Sequence, residues 1–186
     1  MLKQIIESDS KRYGIQKISI IKLFSIFFIK PNPGLKFTII FRATQYYRRK
    51  NRLFFYFYFL WYRALKVKYG FDISYRTQIG KGLYIGHFGQ VIIHGDAIIG
   101  DNCNLSQGIT VGVSNYGDKK GVPIIGNNVF IGPNACVFGK INIGNNVTIG
   151  ANCVVTESIE AQKTLTVSKP TVIDKDLSPY YIHNSI

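Results

Sequence analysis

The sequence predicts a left-handed parallel β-helix preceded by a short N-terminal α-helical region. An aliphatic residue returns at every sixth position over most of residues 79–155, and a six-residue period fits neither an α-helix nor a single half-buried strand. It fits a coil with three flat sides, in which each hexad makes one side. The first 69 residues lack this repeat and contain all of the excess positive charge.

Residues 1–71 are predicted to form the helical region, which is rich in basic and aromatic side chains. Pro31, Pro33 and Gly34 are its strong breakers, so we expect two or three helices joined at this point. The stretch YYRRKNRLFFYFYFLWYRALKVKYG is predicted to be one helix that ends at Gly70.

Positive charge is concentrated in this region. Residues 1–69 contain 15 Lys and Arg against two acidic residues, whereas residues 70–186 are balanced. We expect the aromatic face to pack on the rest of the protein or on another subunit. The alternative is that residues 14–69 lie on an anionic membrane surface. Nucleic acid is not an expected partner, because no recognised binding motif accompanies the charge.

The β-helix domain is predicted over residues 72–167, with residues 168–186 as a C-terminal tail. Twelve aliphatic positions follow the repeat and are expected to point inward. These positions are Ile79, Ile85, Ile93, Ile99, Leu105, Val111, Ile125, Ile131, Val137, Ile143, Ile149 and Val155. Small or apolar residues recur four positions after them, and Cys103 and Cys153 in this set are predicted to be core residues.

The repeat is interrupted twice, and function is often found where a local rule has been given up. Two extra residues lie in IGHFGQVI, around His87. The step from Val111 to Ile125 is fourteen residues, which we interpret as two hexads plus two, and it contains the polar stretch GVSNYGDKKGVP. We predict that residues 112–123 project as a loop that covers the histidine of the same or a neighbouring chain.

Three stretches, GFDISYRTQIGKGLYIGHFGQVII, CNLSQGITVG and the coils from IIGNNVFIGPNACVFG to IGANCVV, resemble the serine acetyltransferase-like branch of the hexapeptide acyltransferases. The resemblance covers about residues 36–172. It implies an enzyme that acetylates a hydroxyl group with acetyl-CoA, needs no metal, and works as a homotrimer with its sites between subunits.

The resemblance also implies a catalytic pair, His87 as general base and Asp72, fifteen residues before it, as its partner. A hydroxyl is a poor nucleophile until a base removes its proton, and an imidazole suits this task. A carboxylate on the other ring nitrogen fixes the tautomer and stabilises the imidazolium. The backbone amides of Gly112 and Val113 are the candidates for holding the tetrahedral oxyanion.

By the same resemblance, the pantetheine arm of CoA is expected along the outer surface of the last coils. Short side chains there allow a close approach to the backbone. The residues assigned to this surface are Gly112, Pro133, Ala135 and Ala151, and Lys169 is expected to meet a CoA phosphate.

Departures from the serine-specific pattern decide the predicted acceptor. Serine-specific members have charged residues where this chain has Gly86, Gly95 and Val122, and a buried zwitterion without partners is costly. His94 replaces a family glycine and is assigned to the wall of the acceptor pocket. The short cationic helical region on the same solenoid is similar to the O-acetyltransferases of capsule and exopolysaccharide pathways, including those of colanic acid type. This similarity implies a sugar acceptor, such as a lipid-linked glycan, with L-serine as the alternative.

Two further classes of protein stay open, and the first is a metal hydratase that binds zinc through three histidines. This chain has three, His87, His94 and His183, but their spacing matches no familiar zinc site, so we expect no metal. A non-catalytic, membrane-associated scaffold is the second class. Three cysteines and no secretory start predict a cytoplasmic location. The glycan hypothesis would bring the enzyme to the inner face of the cytoplasmic membrane.

Overall fold

The computed structural model describes residues 2–29 and 32–168. In this part of the chain, α-helices are followed by fourteen short parallel strands. The helices are α1 (Leu2–Lys11), α2 (Ile20–Phe24), α3 (Pro33–Tyr47) and α4 (Arg52–Tyr69), and a π-helical turn over Ser25–Ile29 continues α2.

The strands have two to four residues each, because one flat side of a coil is only that long. They are β1 (Phe71–Ile73), β2 (Gln78–Ile79), β3 (Tyr84–Ile85), β4 (Val91–Ile93), β5 (Ile98–Ile99), β6 (Asn104–Leu105), β7 (Ile109–Gly112), β8 (Ile124–Ile125), β9 (Phe130–Ile131), β10 (Cys136–Phe138), β11 (Asn142–Ile143), β12 (Thr148–Ile149), β13 (Val154–Val155) and β14 (Thr164–Leu165).

The strands form three parallel sheets, one for each flat side of the coil. The first sheet has the order β1-β4-β7-β10-β13, the second β2-β5-β8-β11, and the third β3-β6-β9-β12-β14. The chain visits the three sheets in turn and so builds a parallel β-solenoid, as predicted, and the solenoid has about five coils.

The core of the solenoid is the inward row that the repeat predicted. All twelve aliphatic positions are buried, with at most 8% of any of these residues exposed. Cys103 and Cys153 are buried among them, whereas Cys136 is half-buried, and all three cysteines are free. Each coil therefore stacks apolar side chains on those of the next, which is the source of solenoid stability.

The longer interruption of the repeat differs from the prediction. Val111 pairs with Val137 and Ile125 with Ile143, and these two partners are six residues apart. The fourteen-residue step is thus one hexad with eight inserted residues, and the interpretation as two hexads plus two is wrong. The inserted residues leave as a narrow hairpin, in which Ser114 and Gly121 exchange backbone hydrogen bonds of 2.9 Å.

The helical region differs from the prediction at one boundary. The stretch predicted as one helix is divided, because the Asn51 side chain accepts a hydrogen bond from the Phe54 N–H at 3.1 Å and starts a new helix, α4. Gly70 ends α4 as predicted, with a left-handed φ of 72°. Pro31 lies outside the described residues.

The apolar residues of α4 divide into two faces. Phe59, Tyr62 and Leu65 pack against the solenoid core, as expected for a helical cap. Leu53 and Phe57 lie on the other face and are 79% and 59% exposed. Among the helices of residues 2–29 and 32–168, none combines the length and the apolar character that a membrane crossing requires.

Candidate active site

His87 lies in the bend between β3 and β4, where the chain passes from the third sheet to the first. The backbone is fixed on both sides of the bend. The Ile85 N–H donates to the Tyr13 hydroxyl at 2.8 Å, and the Gly89 N–H donates to the Tyr69 carbonyl at 2.9 Å. The helical region therefore holds the two ends of the bend, and the His87 side chain is exposed between them.

A cleft of about 440 Å³ opens beside His87. It is formed by the start of α3, the end of α4 and the bend itself, and its lining residues are Asn32, Pro33, Lys36, Lys68, Tyr69, Gly86, His87 and Phe88. Lys36 and Lys68 make this cleft cationic. Burial raises the pKa of the Tyr69 phenol. A tyrosine hydroxyl is protonated at neutral pH even without this shift, so it can donate a hydrogen bond in the cleft.

Sequence reasoning missed Lys36, Lys68 and Asn32. They come from two helices that carry no repeat, and no local pattern relates them to a bend in the solenoid. They approach His87 because the helices dock at this end of the first coil. Gly34 allows the docking, since a Cβ there would lie 2.0 Å from the Ile85 carbonyl oxygen.

Asp72 lies on β1, with its side chain pointing away from the core. Its carboxylate accepts a hydrogen bond from the Lys66 Nζ at 2.6 Å. No hydrogen bond between Asp72 and His87 is present in the described part of the chain. The two residues lie on neighbouring coils, because β1 pairs with β4 immediately after the His87 bend.

The other predicted site residues lie at two different edges of the first sheet. Gly86 lies with His87 where the chain enters this sheet, and Pro133 and Ala151 lie at the same edge of later coils. His94 and Gly95 lie at the opposite edge, where the chain leaves the first sheet.

Gly112, Val113 and Val122 also belong to this exit edge, where the hairpin leaves β7. Within one chain, His87 and the proposed oxyanion amides therefore lie at opposite edges of the first sheet. Part of the proposed acceptor pocket lies at the edge away from His87. The hairpin does not cover the histidine of its own chain, because it folds toward the later coils. There the Lys119 ammonium pairs with Glu157, and the Lys140 N–H donates to the Lys119 carbonyl at 2.9 Å.

One of these assignments changes with the structure. Ala135 is 0% exposed and packs in the core of the solenoid, so its side chain does not lie on an outer surface as predicted. Its position is an inward one in the repeat, and a small residue there serves packing. Val122 packs against the same core.

Lys169, the expected phosphate ligand, and His183, the third histidine of the chain, lie outside the described residues. Pro133 is half-buried, Ala151 is exposed, and both are turn residues at corners of the solenoid. His94 accepts a hydrogen bond from the Asp96 N–H at 3.2 Å. In residues 2–29 and 32–168, no group of three or more His, Cys, Asp and Glu side chains is arranged to hold a metal ion.

The fold and the repeat are similar to those of the hexapeptide-repeat transferases. A family model described as bacterial transferase hexapeptide (six repeats) matches residues 123–157. Relatives and solved structures that are similar to this chain carry a more specific name, serine acetyltransferase.

Two relatives illustrate the similarity in sequence. Serine acetyltransferase of Synechococcus elongatus is 38% identical over 74 residues, which are 40% of this chain and 30% of that protein. Serine acetyltransferase of Staphylococcus aureus is 40% identical over 74 residues, or 40% of this chain and 35% of that protein. The match therefore spans about a third of the length of these curated relatives.

Two solved structures illustrate the similarity in fold. Serine acetyltransferase isoform 3 of Entamoeba histolytica, in complex with cysteine, has a TM-score of 0.70 and 28% identity over 96% of this chain and 63% of that one. Serine acetyltransferase of Neisseria gonorrhoeae, in complex with serine, has a TM-score of 0.69 and 25% identity over 91% of this chain and 68% of that one.

The prediction of a sugar acceptor in capsule or exopolysaccharide synthesis is wrong. The relatives and structures found are serine acetyltransferases, including one solved with serine bound. The prediction took the uncharged residues at Gly86, Gly95 and Val122 to mean that no group could hold an amino acid. It did not include the cations that α3 and α4 bring to the cleft beside His87.

Proposed function

We propose that this protein is an acetyl-CoA-dependent O-acetyltransferase whose acceptor is L-serine. The observation that carries the proposal is the cationic cleft around His87, in a chain whose fold matches serine acetyltransferases over nearly its whole length. A histidine at the mouth of such a cleft is a suitable general base for a small hydroxyl compound that also bears an anionic group.

The charge of the cleft supports an amino acid as the acceptor. Lys36 and Lys68 are the charged side chains that line it. They would hold the carboxylate of serine, because a hydrogen bond to an ionised group is stronger than one between neutral groups. The Tyr69 hydroxyl would donate to the same carboxylate or to the hydroxyl that reacts.

In the reaction, the free imidazole nitrogen of His87 takes the proton from the serine hydroxyl as its oxygen attacks the thioester carbonyl of acetyl-CoA. The oxyanion that forms is held by backbone N–H groups, with Gly112 and Val113 as the proposed donors. When the C–S bond breaks, the imidazolium returns the proton to the sulfur, and O-acetylserine and CoA leave. Asp72 acts as a positioning residue once its carboxylate has turned from Lys66 to the His87 ring.

The site is proposed to form between subunits of a homotrimer. His87 lies at the edge where the chain enters the first sheet, whereas Gly112 and Val113 lie at the exit edge. A neighbouring copy that brings its exit edge to His87 would complete the site. Acetyl-CoA would then lie along the later coils near Pro133 and Ala151, and Lys169 stays a proposed phosphate ligand. We propose a cytoplasmic location, where acetyl-CoA is available, and no resident metal.

The test is CoA release from acetyl-CoA by the purified full-length chain with L-serine as the sole acceptor. We expect turnover that depends on serine, and a loss of about 10²–10⁴-fold in kcat for His87→Ala, the usual contribution of a general base. Lys68→Gln should raise the KM for L-serine about tenfold with a smaller change in kcat.

Lys163→Gln is the matched control for Lys68→Gln, because Lys163 is also exposed but lies near the far end of the solenoid. Circular dichroism and the molar mass of each variant establish that it is folded and assembled. CoA release that is independent of L-serine, or that survives His87→Ala in a folded protein, would contradict the proposal.

A further inference from the structure

A second cleft lies at the junction of the helical region with the first coil. Six cations line it. Arg42 is paired with Asp9, and we call the other five the cationic cluster: Arg48, Arg49, Lys50, Arg52 and Arg76. The first three form the turn after α3, Arg52 opens α4, and Arg76 lies in the turn between β1 and β2. Two adjoining cavities of about 350 and 430 Å³ share most of these residues, and neither shares a lining residue with the cleft at His87.

The cationic cluster has no acidic partner in the described part of the chain, where none of its members lies within 4.0 Å of a carboxylate. Four other cations in the same residues are paired with acids. The pairs are Arg42 with Asp9, Lys66 with Asp72, Lys81 with Asp101, and Lys119 with Glu157. The cluster therefore concentrates positive charge that the chain itself does not balance.

Tyr75 holds two members of the cluster in place. The guanidinium of Arg48 lies 5.5 Å from the centre of its ring, and that of Arg76 lies 5.7 Å from it. The ring is itself fixed by packing on Phe55 and Phe59. Cation–π attraction offsets part of the repulsion between the two guanidinium groups. An anion bound between them would offset the repulsion that remains.

The start of α4 adds to the positive potential. A helix of 18 residues has a partial positive charge at its N-terminus, where acidic residues are favourable. This first turn has no acidic residue and begins with Arg52 instead. A cation at the N-terminus of a helix is unfavourable, because it repels the positive end of the helix dipole. An anion bound there would stabilise the helix.

We propose that this cleft binds a phosphate-bearing anion, with Arg48 and Arg76 as the main ligands of the phosphoryl oxygens. A guanidinium presents two parallel N–H donors that match such oxygens, and this geometry favours a phosphate over a halide. The phosphate belongs either to a soluble ester or to a phospholipid head group. The exposed apolar side chains Leu53 and Phe57 of α4 follow directly in the chain and would contact the acyl region in the second case.

The experiment measures the binding of inorganic pyrophosphate, the soluble probe, to the full chain. Isothermal titration calorimetry at low salt gives the affinity. We expect binding that weakens as the salt concentration rises, and at least a tenfold weaker affinity for the double variant Arg48→Gln/Arg76→Gln. The matched control is Arg63→Gln/Lys163→Gln, which removes the same charge from exposed positions outside the cleft and should bind as the unaltered protein does.

A second arm separates the two sources of phosphate. The protein is sedimented with vesicles of phosphatidylcholine alone or mixed with phosphatidylglycerol. Binding of pyrophosphate without cosedimentation supports a soluble ester, and cosedimentation with the anionic vesicles that the double variant loses supports a lipid head group. If neither probe binds, or if both variants behave alike, the proposal is wrong. Acetyl transfer is not measured, so the outcome is independent of the proposed activity.

Discussion

Tyr13 joins the helical region to the coil that carries His87. Its hydroxyl accepts a hydrogen bond from the Ile85 N–H at 2.8 Å and lies 3.3 Å from the Ile85 carbonyl, and its ring packs against Tyr84 with the centres 4.6 Å apart. Ile85 is two residues before His87. A single phenol thus fixes the end of β3, from which the bend at His87 begins.

Tyr13 also makes the stability of the protein sensitive to alkali. Burial raises the pKa of its phenol above the ordinary value of about 10. As the pH rises, the unfolded chain loses this proton before the folded chain does. The stabilisation is therefore complete below about pH 10 and is lost above it.

We expect the free energy of unfolding to fall above about pH 10, and Tyr13→Phe to make this fall shallower. At pH 7 the same variant should lose about 1–2 kcal/mol, because the Ile85 N–H is left without a partner. Urea titrations at pH 7, 9, 10.5 and 11 measure both effects. Tyr116→Phe is the control, since Tyr116 is 85% exposed. Equal slopes for the two variants would show that Tyr13 does not titrate differently in the folded state. Tyr62, whose pKa is also raised by burial, adds to the fall in all three proteins.

At the scale of elements, one buried ion pair connects α1 and α3 with the first coil. The Arg42 Nε lies 2.8 Å from the Asp9 carboxylate, and the pair is 2% and 0% exposed. Arg42 also donates to the Ile79 carbonyl at 2.7 Å, and Asp9 accepts from the Leu83 N–H at 2.9 Å. These bonds satisfy backbone groups at the open end of the solenoid and orient the helices on it.

Asp9→Ala should lower the free energy of unfolding by about 3–5 kcal/mol, because it leaves the Arg42 guanidinium buried without its counter-charge. The double variant Asp9→Leu/Arg42→Met should lose less than Asp9→Ala, since no unpaired charge remains. Urea denaturation at pH 7 measures all three proteins. A loss for the double variant equal to or greater than that for Asp9→Ala would mean that the hydrogen bonds to the backbone, and not the charge, dominate.

At the scale of the whole molecule, the solenoid is a one-dimensional stack in which each coil contacts its neighbours. The first coil is also covered by the helical region, and the Phe37 ring packs on Phe71 of β1. At the other end, β13 and β14 are outer strands of their sheets in the part of the chain that the structure describes. Local stability should therefore fall from the first coils toward the last.

Hydrogen exchange followed by mass spectrometry tests this gradient. We expect amide protons of β13 and β14 to exchange faster than those at β9, where the Phe130 N–H donates to the Val147 carbonyl at 3.0 Å. The comparison uses peptides of similar length from one digest, with exchange times from seconds to hours. Uniform protection along the solenoid would contradict the gradient and indicate that the coils open as one unit.

The sequence by itself determined the solenoid, its inward residues and the two interruptions. A six-residue period is a local property, since each aliphatic residue points inward because of the conformation of its own hexad. For the same reason the sequence placed His87 at a bend and Cys103 and Cys153 in the core, and both cysteines are buried as predicted. The end of α4 at Gly70 was equally local, because a left-handed residue there favours glycine.

Only the tertiary structure decided what surrounds His87. Lys36 and Lys68 reach the cleft from helices that have no repeat. The step from Val111 to Ile125 is one hexad with an inserted hairpin, and only the pairing of strands in neighbouring coils shows this. Contacts between distant segments depend on how the helices dock, and docking depends on shape and buried charge, which a one-dimensional pattern does not contain.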